Sequence, residues 1–179
     1  MRGSVARLAV VIAAAALRSV EPQAQPAAQP AAPDGLAIIV NRSNPVDGLS
    51  MGELRRIFML ETQTWPNGRK ITVILREKGQ PERAEAIRLI CELSEPEYER
   101  HVLFQTFRGS TGWGPRSILS ASSMLRFVFN APGAIGYVPA HQADQSVKVL
   151  RIDGLLPGDA KYPLRPRPSR SGRDAADDR

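Results

Sequence analysis

The sequence predicts an α/β domain in which a mostly parallel sheet is flanked by helices. Short apolar runs rich in β-branched residues alternate along the chain with longer segments whose apolar residues recur every three to four positions. Polar turns, such as Trp65-Pro66-Asn67-Gly68, separate the two kinds of segment. Strands that alternate with helices are typical of a parallel sheet covered by helices.

The first half of the domain is predicted to begin with a strand and a helix. Leu36 to Val40 is an apolar run typical of a strand that is buried on both faces. After a turn, Ser50 and Glu53 form a capping box at the start of a helix. The inner face of this helix is predicted to consist of Leu54, Ile57 and Phe58.

A central strand, a tight loop and a second helix follow between residues 70 and 93. Ile71 to Leu75 is the predicted strand, and the polar run from Arg76 to Gln80 is the loop. Pro81 suits the first position of the helix because its missing N–H costs nothing there. The apolar face of this helix is predicted to consist of Ala84, Ile87, Ile90 and Cys91.

Two more helices and two more strands are predicted in the second half. Ser94 and Glu97 form another capping box, and the apolar side of that helix is predicted to be Leu103, Phe104 and Phe107. A helix over residues 117–130 turns Ala121, Leu125 and Val128 inward and ends at Pro132-Gly133. Residues 134–138 and 147–152 read as strands.

The two ends differ in composition from the predicted domain at residues 35–153. Residues 1–20 are typical of an export signal, because Arg2 and Arg7 precede a ten-residue apolar run that is too short to cross a bilayer. The alternative is an uncleaved N-terminal anchor. Residues 21–34 form an Ala/Pro/Gln-rich linker, and residues 154–179 are a Pro/Arg-rich tail that we expect to be disordered. Both interpretations of the N-terminus place the domain outside the cytoplasm, in the periplasm.

Charge and composition narrow the function classes. The chain has 24 Lys and Arg against 18 Asp and Glu, a net charge of +6 that favours anionic partners. The basic residues are scattered without interleaved aromatic residues, which argues against nucleic acid. The single cysteine, Cys91, allows no intramolecular disulfide.

No feature of the sequence predicts an enzyme, a metal or a cofactor. The two histidines, His101 and His141, have no partner at metal-ligand spacing and read as surface residues. Neither a nucleophile elbow nor a Walker loop is present in the sequence.

The loop between the central strand and its helix is the first candidate anion site. Arg76 stands at the carboxyl end of the strand, where ligands collect in open α/β sheets, and Arg can hold an oxyanion through two N–H groups. Backbone N–H groups around Gly79 and Gln80 are secondary candidates. Lys78 and Arg83 add positive charge, whereas Glu77, Glu82 and Glu85 leave open that Arg76 is simply ion-paired at the loop.

A second candidate is the Gly-rich run at residues 108–115. Ser110 and Thr111 supply hydroxyl groups on a backbone that glycine makes adaptable. An ordinary surface turn is the alternative interpretation.

Several of these segments together resemble the substrate-binding proteins of phosphate ABC transporters, which have the type 2 periplasmic-binding-protein fold. The most specific pieces are Leu54-Arg55-Arg56-Ile57-Phe58 with the Trp65-Pro66-Asn67-Gly68 turn, and the run at residues 132–138. The resemblance implies phosphate or a similar small oxyanion as ligand, an ABC permease or other envelope protein as partner, and Arg76 as the matching anion contact. Gly79-Gln80-Pro81-Glu82 stands where the family usually has Ser-Gly-Thr.

This departure leaves two alternatives open. The chain resembles one lobe of the two-lobed family, so it is also readable as a degenerate lobe that acts as an envelope protein-interaction module without a small ligand. A homodimer that rebuilds a two-lobed cleft is the other possibility.

Overall fold

A five-stranded sheet lies at the centre of the protein, which is described here from a computed structural model that covers residues 35–108 and 114–165. In chain order the strands are β1 (Leu36–Val40), β2 (Gly48–Leu49), β3 (Thr72–Arg76), β4 (Arg116–Ile118), β5 (Ala134–Pro139), β6 (Lys148–Val149) and β7 (Arg151–Ile152). The helices are α1 (Met51–Phe58), α2 (Pro81–Cys91), α3 (Glu95–Phe107) and α4 (Ala121–Asn130), with a 3-10 turn at Ala140–Gln142. The predicted α/β class is confirmed.

The sheet has the strand order β4-β3-β5-β1-β6, and β2 pairs separately with β7. Three of the five pairings among the described residues are parallel: β3 with β4, β3 with β5, and β2 with β7. The two pairings of β1, with β5 and with β6, are antiparallel. The mostly parallel character was predicted, and the antiparallel position of β1 between β5 and β6 was not.

Helices cover both faces of the sheet. Along β1, alternate residues enter two different cores, and all five are buried, as the uninterrupted apolar run predicted. Leu36, Ile38 and Val40 pack in the larger core with residues of α1, α2 and α3, whereas Ala37 and Ile39 pack in a smaller core with residues of α4.

Both predicted capping boxes are confirmed. The backbone N–H of Ser50 donates to Glu53 Oε2 (2.8 Å), and that of Ser94 donates to Glu97 Oε2 (2.8 Å). In return, each serine side chain accepts from the backbone N–H of the third helical residue. The predicted inner face of α1, which consists of Leu54, Ile57 and Phe58, is also buried.

The inner face of α2 is offset from the predicted one. Ala84 is exposed, and Arg83 and Ala86 are buried beside Ile87, Ile90 and Cys91. Apolar spacing alone could not place a buried arginine in this face. Burial raises the pKa of the Cys91 thiol to about 12, so this cysteine is a protonated core residue.

The predicted apolar side of α3 is wrong. Leu103, Phe104 and Phe107 are exposed, and Tyr98 is the buried residue of this helix. The Tyr98 hydroxyl donates to the carbonyl of Phe58 at the end of α1 (2.8 Å). This hydrogen bond directs the opposite side of α3 toward the core.

Two predicted segments are divided differently in the structure. Residues 116–118 form β4, which pairs with β3 at one end of the sheet, and α4 begins only at Ala121. The predicted strand at 147–152 is interrupted at Leu150, whose N–H donates to the Ile38 carbonyl (2.9 Å). Each of these short strands depends on a distant partner, which local patterns do not report.

Gly133, at the predicted helix stop, is required by a close backbone approach. A Cβ at this position would lie 2.2 Å from the carbonyl oxygen of Lys70. The Gly133 carbonyl accepts from the Thr72 N–H (3.0 Å) and from the Trp65 indole N–H (3.1 Å). This glycine therefore joins the start of β5 to the start of β3.

Residues 154–165 pack on the domain, although composition predicted that the tail begins at 154. Tyr162 and Leu164 are buried. The Tyr162 hydroxyl donates to the Leu36 carbonyl (2.9 Å), and the Leu36 N–H donates to the Leu164 carbonyl (2.9 Å). The predicted export signal, the linker and residues 166–179 lie outside the described residues. None of the helices in the described part has the length and apolar character needed to cross a membrane.

Candidate functional site

Arg76 lies at the carboxyl edge of the parallel part of the sheet. It is the last residue of β3, which runs parallel to β4 on one side and to β5 on the other. The carboxyl ends of these three strands therefore meet at one edge, where open α/β sheets bind ligands. This is the position that the sequence predicted for Arg76.

Backbone hydrogen bonds, one of them to β4, hold the turn after Arg76. The Glu77 N–H donates to the Ile118 carbonyl (3.1 Å), and the Gln80 N–H donates to the Glu77 carbonyl (3.2 Å). Gly79 has φ +82°, a conformation that glycine adopts without strain. Of the two predicted backbone contacts, the Gln80 N–H is thus already engaged within the turn.

Helix α2 starts without a side-chain cap. Gln80 is its N-cap residue and makes no capping hydrogen bond, and Pro81 in the first turn has no N–H to donate. This differs from α1 and α3, whose N-termini are closed by capping boxes. The positive end of the α2 dipole therefore faces the turn without a capping side chain.

The Arg76 guanidinium has unmet hydrogen-bonding capacity. Its Nε and Nη1 atoms are buried and have no partner within the described part of the chain, although the residue as a whole is only partly buried. No carboxylate of the described residues forms an ion pair with Arg76. The alternative in which Arg76 is ion-paired at the loop is therefore wrong for the described part of the chain. A buried guanidinium without partners is costly, and buried polar groups in folded proteins are usually satisfied.

Arg83, seven residues later, is paired with carboxylates and with a backbone carbonyl. Its Nε donates to Glu95 Oε1 (2.5 Å), and its Nη1 donates to the Arg76 carbonyl (2.8 Å). Its Nη2 lies 3.8 Å from Glu99 Oε1, and Lys78 Nζ lies 2.8 Å from the same oxygen. The two cations that were expected to add to anion attraction are therefore engaged by carboxylates of α3.

The Tyr137 hydroxyl lies among the charged groups of this edge. It accepts from the Arg76 backbone N–H (3.1 Å). Burial raises the pKa of Tyr137 to about 12, against the lowering effect of that hydrogen bond and of the Arg83 and Arg76 charges, while Glu82 raises it. The phenol is therefore protonated at neutral pH, and Arg76, Arg83 and Glu82 all act on it.

Glu82 contributes a second unsatisfied group. Its Oε2 atom is buried without a hydrogen-bond partner among the described residues, and no ion pair within 4.0 Å joins it to Arg76 there. Two N–H donors of Arg76 and one carboxylate acceptor of Glu82 thus remain unmet among the described residues, and the charges of both side chains act on the pKa of Tyr137. This is a donor and acceptor set that a protonated oxyanion could satisfy.

A cavity of about 600 Å³ lies next to this turn, between α3 and β4. Leu75, Lys78, Arg83 and Glu99 line it near the turn, and Val102, Leu103 and Pro115 line it farther away. The cavity therefore borders the turn at Lys78, and neither Arg76 nor Glu82 is among its lining residues.

Ser110 and Thr111, the residues of the second predicted site, lie outside the described residues. The histidines are separate from the Arg76 edge: His101 Nε2 lies 2.9 Å from the Met59 carbonyl oxygen, and His141 is exposed in the 3-10 turn. Within residues 35–108 and 114–165, no group of three or more His, Cys, Asp or Glu residues could hold a metal ion.

The sequence model of the PBP superfamily domain matches residues 5–155, most of the chain. The chain belongs to this family. It is 27% identical over 128 residues to the phosphate-binding protein PstS of Bacillus subtilis (strain 168), a match that covers 69% of this chain and 37% of that protein.

Solved structures share the fold. An ABC-type phosphate transport receptor from Vibrio cholerae has a TM-score of 0.56 and 24% identity, and the match covers 69% of this chain and 48% of that one. PstS from Borrelia burgdorferi has a TM-score of 0.57 and 15% identity, with 73% and 53% covered. The chain thus spans little more than a third of the curated relative and about half of these solved relatives.

Sequence reasoning found Arg76 but missed the residues that define its surroundings. Tyr137 was noted only as part of a strand, and Glu82 only as a possible ion-pair partner of Arg76 and as a departure from the family's turn. Arg83 at the third position of α2 was counted as a free cation. No local pattern in the sequence indicates its hydrogen bond to the Arg76 carbonyl, because the turn at residues 77–80 separates the two residues.

Proposed function

We propose that this protein is an exported solute-binding protein that holds a small oxyanion of the phosphate class at the Arg76 edge of its sheet. The observation that carries the proposal is the pair of buried Arg76 nitrogens without partners. A guanidinium retained in this state is stabilised when an anion accepts from both N–H groups, because bidentate charge-assisted hydrogen bonds are among the strongest in proteins.

Glu82 makes the proposed ligand class narrower. A carboxylate oxygen that lacks a donor accepts a hydrogen bond from an anion that carries a proton, and it repels an anion that does not. At neutral pH phosphate carries at least one proton, whereas sulfate carries none. The unpartnered Glu82 Oε2 therefore supports selectivity for phosphate over sulfate.

The names of the relatives support a role in phosphate transport. The Bacillus subtilis relative is a phosphate-binding protein and the Vibrio cholerae structure is an ABC-type phosphate transport receptor. By analogy, the proposed role is delivery of the ligand to an ABC permease, or sensing of it, in the periplasm. A binding role without catalysis fits this family, and no cofactor is required for it.

The test is calorimetric titration of the protein with phosphate at low salt, with sulfate as the comparison ion. We expect phosphate binding and weak or absent sulfate binding. Arg76→Met should weaken phosphate affinity by about 10- to 100-fold, the range for lost hydrogen bonds to a charged group. Arg88→Met, at an exposed position of α2, is the matched control and should leave the affinity unchanged.

Glu82→Gln tests the selectivity separately. The amide no longer repels a fully ionised anion, so we expect the preference for phosphate over sulfate to fall by about tenfold. Phosphate binding that is identical in the wild-type and Arg76→Met proteins would overturn the site assignment. Absence of any phosphate-dependent heat or thermal shift at millimolar concentration would overturn the proposed function.

The second candidate function is a protein-interaction module that binds no small ligand. The exposed apolar residues of α3 favour it, because large side chains of this kind are normally covered. The two candidates differ in the titration above, since the second predicts no heat with either ion.

A further inference from the structure

Helix α3 presents an apolar surface that nothing in the described part of the chain covers. Leu103, Phe104 and Phe107, here called the α3 face, have exposed fractions of 57%, 55% and 82%. Their spacing of three and four residues puts them on one side of the helix. Three adjacent large apolar side chains on one helix are more than the scattered exposure that folded surfaces normally show.

The same side of the helix is charged with opposite sign at its two ends. Glu97 in the first turn and Arg108 just after the last turn are both exposed. The hydrogen bonds from Ser94 hold the pKa of the Glu97 carboxyl below its usual value, so the acidic end is ionised at neutral pH. The Arg108 guanidinium lies 4.6 Å from the centre of the Phe104 ring, which brings the basic end onto the apolar surface.

We infer that the α3 face is the docking surface for a second copy of this chain, with the two α3 helices antiparallel. A two-fold axis near the middle of the helix brings the α3 faces of the two copies together. It also brings Arg108 of each copy beside Glu97 of the other. A surface with an apolar centre and opposite charges at its ends is complementary to itself in this orientation, as an isologous interface requires.

The spacing along the helix agrees with this arrangement. Glu97 and Arg108 are separated by eleven residues, about 16 Å at the α-helical rise. The midpoint falls beside Leu103, so the apolar residues, with the exposed Arg100 beside them, lie between the two charged contacts. In this register Arg100 of each copy falls at the level of the uncharged Gln105 of the other, so it meets no like charge there. A parallel pairing would instead bring like charges together at both ends.

An anionic membrane is a poorer occupant of the same surface. Arg100 and Arg108 would be attracted to it, but the ionised Glu97 on the same side would be repelled. The inference is independent of anion binding at Arg76, and self-association can be measured with no ligand present. Failure of either idea therefore leaves the other standing.

The test is sedimentation of the full chain over a range of concentrations, for the wild-type protein and for two matched variants. We expect a concentration-dependent dimer. Phe107→Glu should weaken it by about 100-fold or more, because the change removes the contribution of two buried phenylalanines. Phe129→Glu, at a position on α4 that is 54% exposed, is the control and should leave the dimer unchanged.

A mixing experiment tests the antiparallel arrangement. Arg108→Glu alone and Glu97→Arg alone should each be mainly monomeric, since each homodimer then contains like charges in contact. An equal mixture of the two variants should form a heterodimer, because every charged contact in it is again between opposite signs. Melting curves of each variant check that the fold is intact.

Four results would overturn the inference. The first is a wild-type protein that stays monomeric at millimolar concentration. The second is self-association that Phe107→Glu does not change, and the third is a variant mixture that associates no better than its components. The fourth is a monomer that binds phosphatidylglycerol vesicles in a manner that depends on Phe107, which would assign the α3 face to the membrane.

Discussion

Two arginines of the β3–α2 region, Arg76 and Arg83, have opposite environments although they are seven residues apart and both reach the interior. Arg83 is buried and bonded to Glu95 and to the Arg76 carbonyl. Arg76 has two buried nitrogens without partners in the described part of the structure. Arg83 thus connects β3, α2 and α3, whereas two guanidinium nitrogens of Arg76 make no hydrogen bond to the described residues.

The difference separates a structural cation from one that is available for binding. A buried charge with complete partners is expensive to break, whereas a buried charge with none lowers the stability of the protein that carries it. Folded proteins tolerate such a cost mainly where a function uses the group. The two arginines should therefore respond in opposite directions to the same substitution.

The largest effect is expected from Arg83→Met. This change leaves Glu95 without its guanidinium and the Arg76 carbonyl without its donor, and it should lower the free energy of unfolding by about 3–5 kcal/mol. Urea denaturation of the variant measures this loss. Arg88→Met, on the exposed side of the same helix, is the comparison and should change the stability by no more than about 0.5 kcal/mol. Equal effects at the two positions would contradict the structural role of Arg83.

Arg76→Met should change stability in the other direction. The unbranched apolar side chain has no unmet N–H groups, so we expect the free energy of unfolding to rise by about 1–3 kcal/mol in the absence of ligand. Melting curves with and without phosphate measure both effects, because at a given phosphate concentration the ligand should stabilise the wild-type protein more than the variant. A less stable Arg76→Met variant would mean that the guanidinium has partners that stabilise the fold.

The turn between the two arginines should be moderately sensitive at Gly79. Its φ of +82° is unfavourable for any residue with a Cβ, although a Cβ there would meet no atom within 4 Å. Gly79→Ala should therefore cost about 1–2 kcal/mol through the backbone alone. Gly158→Ala, where a Cβ also meets nothing and no positive φ is required, is the control. A Gly79→Ala protein as stable as the control would show that the turn relaxes.

The smallest effect concerns the capped helix starts, which contrast with the uncapped start of α2. Hydrogen bonds from Ser50 and Ser94 lower the pKa values of Glu53 and Glu97 below 4.5 in the folded protein. Their contribution to stability is therefore complete above pH 4.5 and is lost as the pH falls through the folded-state values. We expect the free energy of unfolding to fall less steeply with decreasing pH in the Glu53→Gln, Glu97→Gln double variant than in the wild-type protein. Identical pH profiles for the two proteins would contradict this role of the capping boxes.

Local sequence patterns predicted the structure correctly wherever the contacts that stabilise it join residues only a few positions apart. The two capping boxes are examples, since each hydrogen bond spans three residues and the motif contains both partners. The same patterns failed for α3, because the side of a helix that becomes buried depends on what packs against it. They also failed for β4, whose three residues form a strand only beside β3.

The sequence by itself determined the α/β class, the buried strands β1, β3 and β5, the helix starts and the position of Arg76 at the end of β3. Each of these follows from apolar periodicity, caps and turn residues that act over short distances. The tertiary structure alone decided that Arg83 is paired and Arg76 is not. It also decided that the apolar residues of α3 are exposed and that residues 154–165 pack against β1. These outcomes depend on contacts between residues far apart in the chain, where packing overrides local preference because burial and pairing energies exceed propensities.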